Sequence, residues 1–320
     1  MRRREFITLI GGAAAWPRQL VAQPGERNYR IGVLVPFPST VLEAWFAELR
    51  TLGFVEGQNL TVDRRGFARS YGQFPAVATE LVNSGLEAMI CGGDEAIRAA
   101  QAATATIPII ASTDDMVGAG LARSLAHPGG NTTGVSLLAS ELDGKRQEIL
   151  FDLLPAARHM AILADSKTTG GLQVQAIRET ARLRGVELSV HEVHRGEEIA
   201  STIEAVKASG AAALNVLASP LLHGNRQSII EQTATLRVPA IYQWPETAEE
   251  GGLLGYGPRF SEFLRQWARL AAKVLRGAKP ADVPIEQPTH FELVINLKTA
   301  RVTGLEVPAG LVLRADKVIE

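Results

Sequence analysis

The chain has 320 residues, 33 basic and 34 acidic side chains, and 46% apolar residues. That is enough for two ordinary domains, and the near-balanced charge with no basic stripe excludes nucleic acid as a partner. A single cysteine, Cys91, excludes an internal disulfide framework.

The first stretch, "MRRREFITLIGGAAAWP", places Arg2, Arg3 and Arg4 ahead of an apolar run from Phe6 to Trp16. The order is that of an export leader, and the run is too short to span a bilayer. Arg3-Arg4 followed by Phe6 and Ile7 resembles a twin-arginine signal. Residues 1–22 are therefore expected to be a signal peptide cut near Ala22, which places the working protein in the periplasm. Removing their four arginines and one glutamate leaves 29 basic and 33 acidic residues, a formal net charge of −4. No later run reaches transmembrane length, and no cysteine follows the leader to carry a lipid.

Beyond the leader, short apolar runs alternate with amphipathic stretches. "YRIGVLVPF" predicts a strand. "TVLEAWFAELRTLG" predicts a helix, with Leu42, Trp45, Phe46, Leu49 and Leu52 at helical spacing and Gly53 as its stop. Strands are predicted again at "NLTVDRR", "LEAMIC" and "IPIIAS", with helices at "YGQFPAVATELVNSG" and "DEAIRAAQAATA". The rhythm resumes with "RHMAILAD", "GLQVQAIRETARLRG", "VELSVHEV", "EEIASTIEAVKASG", "AAALNVLAS", "RQSIIEQTATLR" and "VPAIYQ". Such βαβ alternation implies parallel sheets covered by helices on both faces. The halves echo each other: "EAMICGG…TATIPIIASTDD" has the same parts in the same order as "AAALNVLASP…TATLRVPAIYQWPE". Two α/β lobes are expected. Candidate linkers are "HPGGNTTGVSLLASELDGKRQEIL", "ETAEEGGLLGYGP" and "GAKPADVPIEQPTH", so the chain passes between lobes more than once. The expected boundaries are 29–139 plus 251–280 for the N-terminal lobe, and 140–250 plus 281–320 for the C-terminal lobe.

In open parallel sheets, ligands bind beyond the carboxyl ends of the strands. Applied strand by strand, that rule picks out Phe37 and Ser39, Gly93 and Asp94, and Thr113, Asp114 and Asp115. In the second half it picks out Asp165 and Ser166, Ser219, and Tyr242 and Trp244. Small hydroxyls, free backbone N–H groups, acids and aromatic faces suit a small polar or zwitterionic ligand with an apolar part. Helix N-termini behind Ser39, Gly93 and Thr168 offer places for a carboxylate. Each of these Ser, Thr and Asp residues also fits an ordinary helix cap.

Enzyme signatures are missing. "LVPFPST" has no glycine, so the first βα turn lacks the dinucleotide fingerprint, and no GxxxxGK[ST] or GxSxG occurs. His191 and His194 would face opposite sides of a strand, and no further ligands stand at zinc spacing. No metal, cofactor or catalytic residue is expected. Cys91 lies in a buried-strand pattern and reads as a core residue.

Several stretches then carry a resemblance: "LRTLGFVEGQNLTVDRR", "VGAGLARSLAHPGGNTTG", "ELDGKRQEIL", "GGLLGYGP", "KPADVPIEQPTHFELVINLKTARVTGLEVP" and "LRADKVIE". They resemble the periplasmic substrate-binding proteins of ABC uptake systems, in the group with tryptophan- and tyrosine-binding members, over essentially the whole chain. The resemblance implies an α/β, periplasmic-binding-protein-like I fold: two doubly wound parallel-sheet lobes joined by a three-strand hinge. It also implies a monomer that closes on a small molecule in the cleft, with an ABC permease and its ATPase as partners. Tyr256, in "GGLLGYGP", is also a candidate ligand residue. The chain departs from the pattern at Gly92-Gly93-Asp94, at Met116 after Asp115, at Gly255, and in the short segment between Val35 and Trp45. Asp94 adds a negative charge that favours an amine on the ligand. The expected ligand is a small carboxylate-bearing molecule with an aromatic or amino-acid-like body. A ligand-sensing subunit for a membrane receptor remains an alternative. So does an exported α/β enzyme using Asp114 or Asp165 as acid or base.

Overall fold

The computed structural model describes residues 27–320. The expected leader, residues 1–22, lies outside the described residues.

The chain first builds a parallel sheet from β1 (Tyr29–Leu34), β2 (Leu60–Gly66), β3 (Ala88–Gly92), β4 (Ile109–Thr113) and β5 (Thr132–Ser136), in the order β2-β1-β3-β4-β5. Helices α1 (Glu43–Thr51), α2 (Phe74–Val82) and α3 (Asp94–Ala103) make crossovers. Side chains alternate across β3: Ile90 packs with Trp45 and Leu49 of α1, whereas Met89 and Cys91 pack with α2 and α3. A strand covered on both faces needs apolar residues at every position, which is why "AMIC" is unbroken.

The chain then crosses to a second lobe. Helix α4 (Ala139–Leu153) leads into β6 (His159–Asp165), α5 (Gly171–Leu183), β7 (Glu187–Val193), α6 (Ile199–Ala208) and β8 (Leu214–Val216). A short α7 (Pro220–Gly224) precedes α8 (Arg226–Thr235), β9 (Ala240–Tyr242), α9 (Pro245–Glu249) and β10 (Leu254–Gly257). On β6, Ala161 and Leu163 face α6 and α8, while Ile162 and Ala164 face α5. After β10 the chain returns to the first lobe. There α10 (Phe260–Leu275) lays Phe263, Leu264 and Trp267 against α1 and the first sheet. β11 (Glu292–Asn296), α11 (Leu297–Thr303), α12 (Ala309–Val312) and β12 (Lys317–Ile319) complete the second sheet, ordered β12-β11-β10-β9-β8-β6-β7.

Two expected boundaries move. The segment from residue 251 was assigned to the first lobe, yet β10 pairs with β9 and β11 of the second sheet. Residues after 280 were assigned to the second lobe. Instead Glu286 N donates to Gly134 O and Ser136 N to Glu286 O, both at 2.9 Å, and Thr133 Oγ1 donates to Val283 O at 2.7 Å. Gly- and Pro-rich composition marks both segments as linker-like, but their backbones bond into sheets before and after the passages. Two strands, β11 and β12, also run against the rest of the second sheet. β11 runs antiparallel to β10, because β10 leaves the lobe through the hinge and β11 re-enters through it.

Candidate functional site

A single cleft gathers the carboxyl ends of strands from both lobes. It encloses an empty space of about 590 Å³, open solvent at its mouth included. From the first lobe, the turn after β1 supplies Phe37, the β3–α3 junction supplies Gly92, Gly93 and Asp94, and the end of β4 supplies Ser112, Thr113 and Asp114. The second lobe contributes Thr168, Ser219, Pro220, His223, Gln243 and Trp244. Helix α10 adds Phe260, Phe263, Leu264 and Trp267.

Local chemistry fixes these groups. Gly93 takes φ 87°, ψ 153°, a region open to glycine and strained for other residues. Its N–H donates to Ser112 O at 2.8 Å. A side chain there would meet Pro220 of the other lobe at 3.5 Å, so the lobes touch beside the cavity. Thr113 Oγ1 donates to Asp94 Oδ1. Gly255 marks a close approach, since a Cβ would come within 2.5 Å of Trp244 O. Its missing side chain thus serves the packing of the Trp244 turn.

The cleft is unevenly charged. Burial, then the neighbouring Asp143 and Asp94, push the Asp114 carboxyl up to about 7, with Arg146 opposing. Burial also raises Asp94, against the Thr113 hydrogen bond. Behind them, Asp143 and Arg146 of α4 form a fully buried ion pair, and Arg146 Nη1 donates to Tyr256 O at 2.9 Å. Among the described residues, no lysine or arginine lines the cavity. The opposite character comes from the aromatic rings. Trp244 lies 4.9 Å from Phe260 and 5.6 Å from Phe263, and Phe263 stacks on Trp267 at 6.1 Å, all between ring centroids. Trp267 Nε1 donates to Ile110 O at 3.2 Å.

Of the residues expected from sequence, Phe37, Gly93, Asp94, Thr113, Asp114, Ser219 and Trp244 line this cavity. Six others lie elsewhere. Ser39 opens a 3₁₀ turn and faces an outer groove with Glu43 and Arg64. Asp115 accepts from Gly118 N at 2.8 Å and shapes its own turn. Asp165 is fully buried. It accepts from Ser219 Oγ at 2.8 Å, Lys167 N at 2.9 Å and Thr168 Oγ1 at 3.1 Å, and so organises the loops behind the cavity. Ser166 bonds His194 Nδ1 on the outside. Tyr242 is buried under α8, its hydroxyl 2.9 Å from Thr233 Oγ1. Tyr256 packs into the core of the second lobe. His223 and the α10 aromatics were missed. The spacing of Phe260, Phe263, Leu264 and Trp267 reads as an ordinary core stripe, and it serves as both core and cavity wall. Among the described residues, no three His, Cys, Asp or Glu side chains are grouped to hold a metal ion. No helix there is long and apolar enough to cross a membrane.

Two doubly wound lobes, joined by three chain passages and meeting over one cavity, define a periplasmic-binding-protein-like fold of type I. The family description "ABC transporter substrate binding protein" matches residues 42–319, and the chain belongs to that family of binding proteins. It is 25% identical over 288 residues to the tyrosine-binding protein of Clostridioides difficile strain R20291, covering 88% of this chain and 82% of that one. A solved ABC domain of Streptococcus pneumonia in complex with L-Trp is 25% identical, with a TM-score of 0.80, covering 91% of this chain and 100% of that one. A conserved domain protein of Vibrio cholerae O1 biovar El Tor shares the fold at 20% identity, with a TM-score of 0.81, covering 92% of this chain and 99% of that one.

Proposed function

We infer that this protein captures an amino acid with an aromatic or other apolar body outside the cytoplasm and delivers it to an ABC permease and its ATPase. The observation that carries the reading is the division of one interlobe cavity. Asp94, Asp114, Ser112 and Thr113 supply acids and hydroxyls, while Phe37, Trp244, Phe260 and Phe263 supply apolar faces. An ammonium group suits the acidic part. With no cation in the wall, the ligand's carboxylate falls to neutral donors: the hydroxyls and the first backbone N–H groups of α3, which no side chain caps. The names of the relatives, tyrosine-binding and L-Trp-bound, point the same way.

A thermal-shift panel of amino acids, aromatic acids, sugars and polyamines tests the ligand class. Saturation at a hundredfold excess over Kd stabilises the folded state by about 2.7 kcal/mol, a melting shift of roughly 5 °C for a chain this long. Shifts with sugars alone, and with no amino acid or other carboxylate, would overturn the reading.

A further inference from the structure

Two residues that line the cavity each carry a buried polar atom with no partner. Trp244 Nε1 and His223 Nδ1 are both buried with no hydrogen bond, and Trp244 is only 4% exposed. Buried polar groups are nearly always paired, because an unmade hydrogen bond there weighs directly against the folded state. The two rings line the same cavity, with centroids 5.9 Å apart. Phe260, from the other lobe, closes on both at 4.5 and 4.9 Å. Neighbouring orphans on a ligand cavity point to a partner that arrives with the ligand.

Their chemistry says what that partner is. An indole N–H only donates. The imidazole is neutral, since burial and then Arg226 push it down to about 3, so one ring nitrogen keeps a lone pair and accepts. A hydroxyl matches both, accepting from one ring and donating to the other. Phenylalanine would satisfy neither, and the N–H of tryptophan would leave the Trp244 donor unmatched.

We propose that His223 and Trp244 together hold a hydroxyl on the ligand's aromatic ring, so that the site prefers a phenol-bearing amino acid to its unsubstituted counterpart. This rests on the amino-acid reading above. The position of His223 fits the role. Ser219 caps α7 by accepting from Leu221 N at 3.0 Å and Leu222 N at 3.2 Å, and so fixes the turn that carries the imidazole.

Titration calorimetry with L-tyrosine, L-phenylalanine and L-tryptophan decides the matter. The parent should favour L-tyrosine over L-phenylalanine by about tenfold or more. In His223→Phe, which keeps a ring and removes its nitrogens, the preference should fall to about threefold or less. His223→Gln, whose amide oxygen accepts, should restore part of it. Trp244→Phe, an independent variant, should lower the ratio as well. Equal affinities in the parent, or a preference that survives in folded His223→Phe and Trp244→Phe, would overturn the hydroxyl role and leave the amino-acid reading standing. Binding of aliphatic amino acids alone has the same meaning. Binding of no amino acid removes both.

Discussion

On the amino-acid reading, Asp114 should set how binding responds to pH. Its carboxyl is pushed up to about 7 by burial and by Asp143 and Asp94, so the free protein carries it partly protonated near neutrality. A ligand ammonium beside it favours the carboxylate, and binding then expels a proton. By linkage, affinity for an amine-bearing ligand rises by up to about tenfold per pH unit below pH 7 and levels off above it. Calorimetry at pH 6 in buffers of different ionisation enthalpy should detect the released proton, and Asp114→Asn should abolish both the release and the pH dependence. Identical heats in all buffers with the parent would remove the ammonium from this acid. Without ligand the sign reverses. A folded-state value above the unfolded one means that ionised Asp114 works against folding, so its contribution worsens as pH rises from about 4 to 7.

At this scale the sequence was legible where a residue's place follows from strand direction. Phe37, Gly93, Asp94, Thr113, Asp114, Ser219 and Trp244 stand at or just beyond strand ends and reach the cavity. Tyr242 fails because its ring, at the end of β9, turns to the face that packs into the α8 core. Asp165 fails because an acid at a strand end can equally serve its own loop, as its three bonds to Ser219, Lys167 and Thr168 show. Nothing local in the sequence distinguishes it from Asp114.

Among the elements, α4 carries the greatest electrostatic risk. Asp143 and Arg146 are three residues apart on one face, and neither is exposed. Asp143 is also held by Gln173 Nε2 and by Ala218 N at 3.2 Å. Removing one partner leaves an unpaired buried charge, whereas replacing both with apolar groups is close to neutral. Arg146→Leu should therefore lose about 3–5 kcal/mol in urea unfolding, and adding Asp143→Leu should recover part of that loss. A single-variant loss below about 1 kcal/mol would mean that water reaches the pair. Apolar periodicity made β1 to β4 and β6 to β9 legible, with α1, α2, α3, α5, α6 and α8 between them, since sheets covered on both faces permit few other patterns, whereas α4 and β10 fall in stretches that read as linkers and the elements from α10 onward carry no such alternation. The dual use of α10 was not legible. A stripe at helical spacing says that a face is covered, not whether protein or ligand covers it.

For the whole molecule, the decisive feature is that two separately built lobes face each other across the cavity. Gly93 faces Pro220, and Phe260 packs on His223 and Trp244. Three chain passages join the lobes and allow a bend without disturbing either core. X-ray scattering should therefore give a smaller radius of gyration at saturating ligand than without ligand. A curve that ligand leaves unchanged would indicate a rigid cleft.

The interleaving of the lobes also governs how the molecule is made. Trp45 and Leu49 are fully buried in a cluster that includes Phe263, Leu264 and Trp267 of α10. Those partners come more than two hundred positions later in the sequence. A chain growing from its N-terminus displays this greasy face until synthesis is well past residue 257. The second lobe likewise waits for β11 and β12 at the end of the chain. Neither half can finish before the other has begun, so the nascent protein depends on being shielded from its neighbours for most of its assembly.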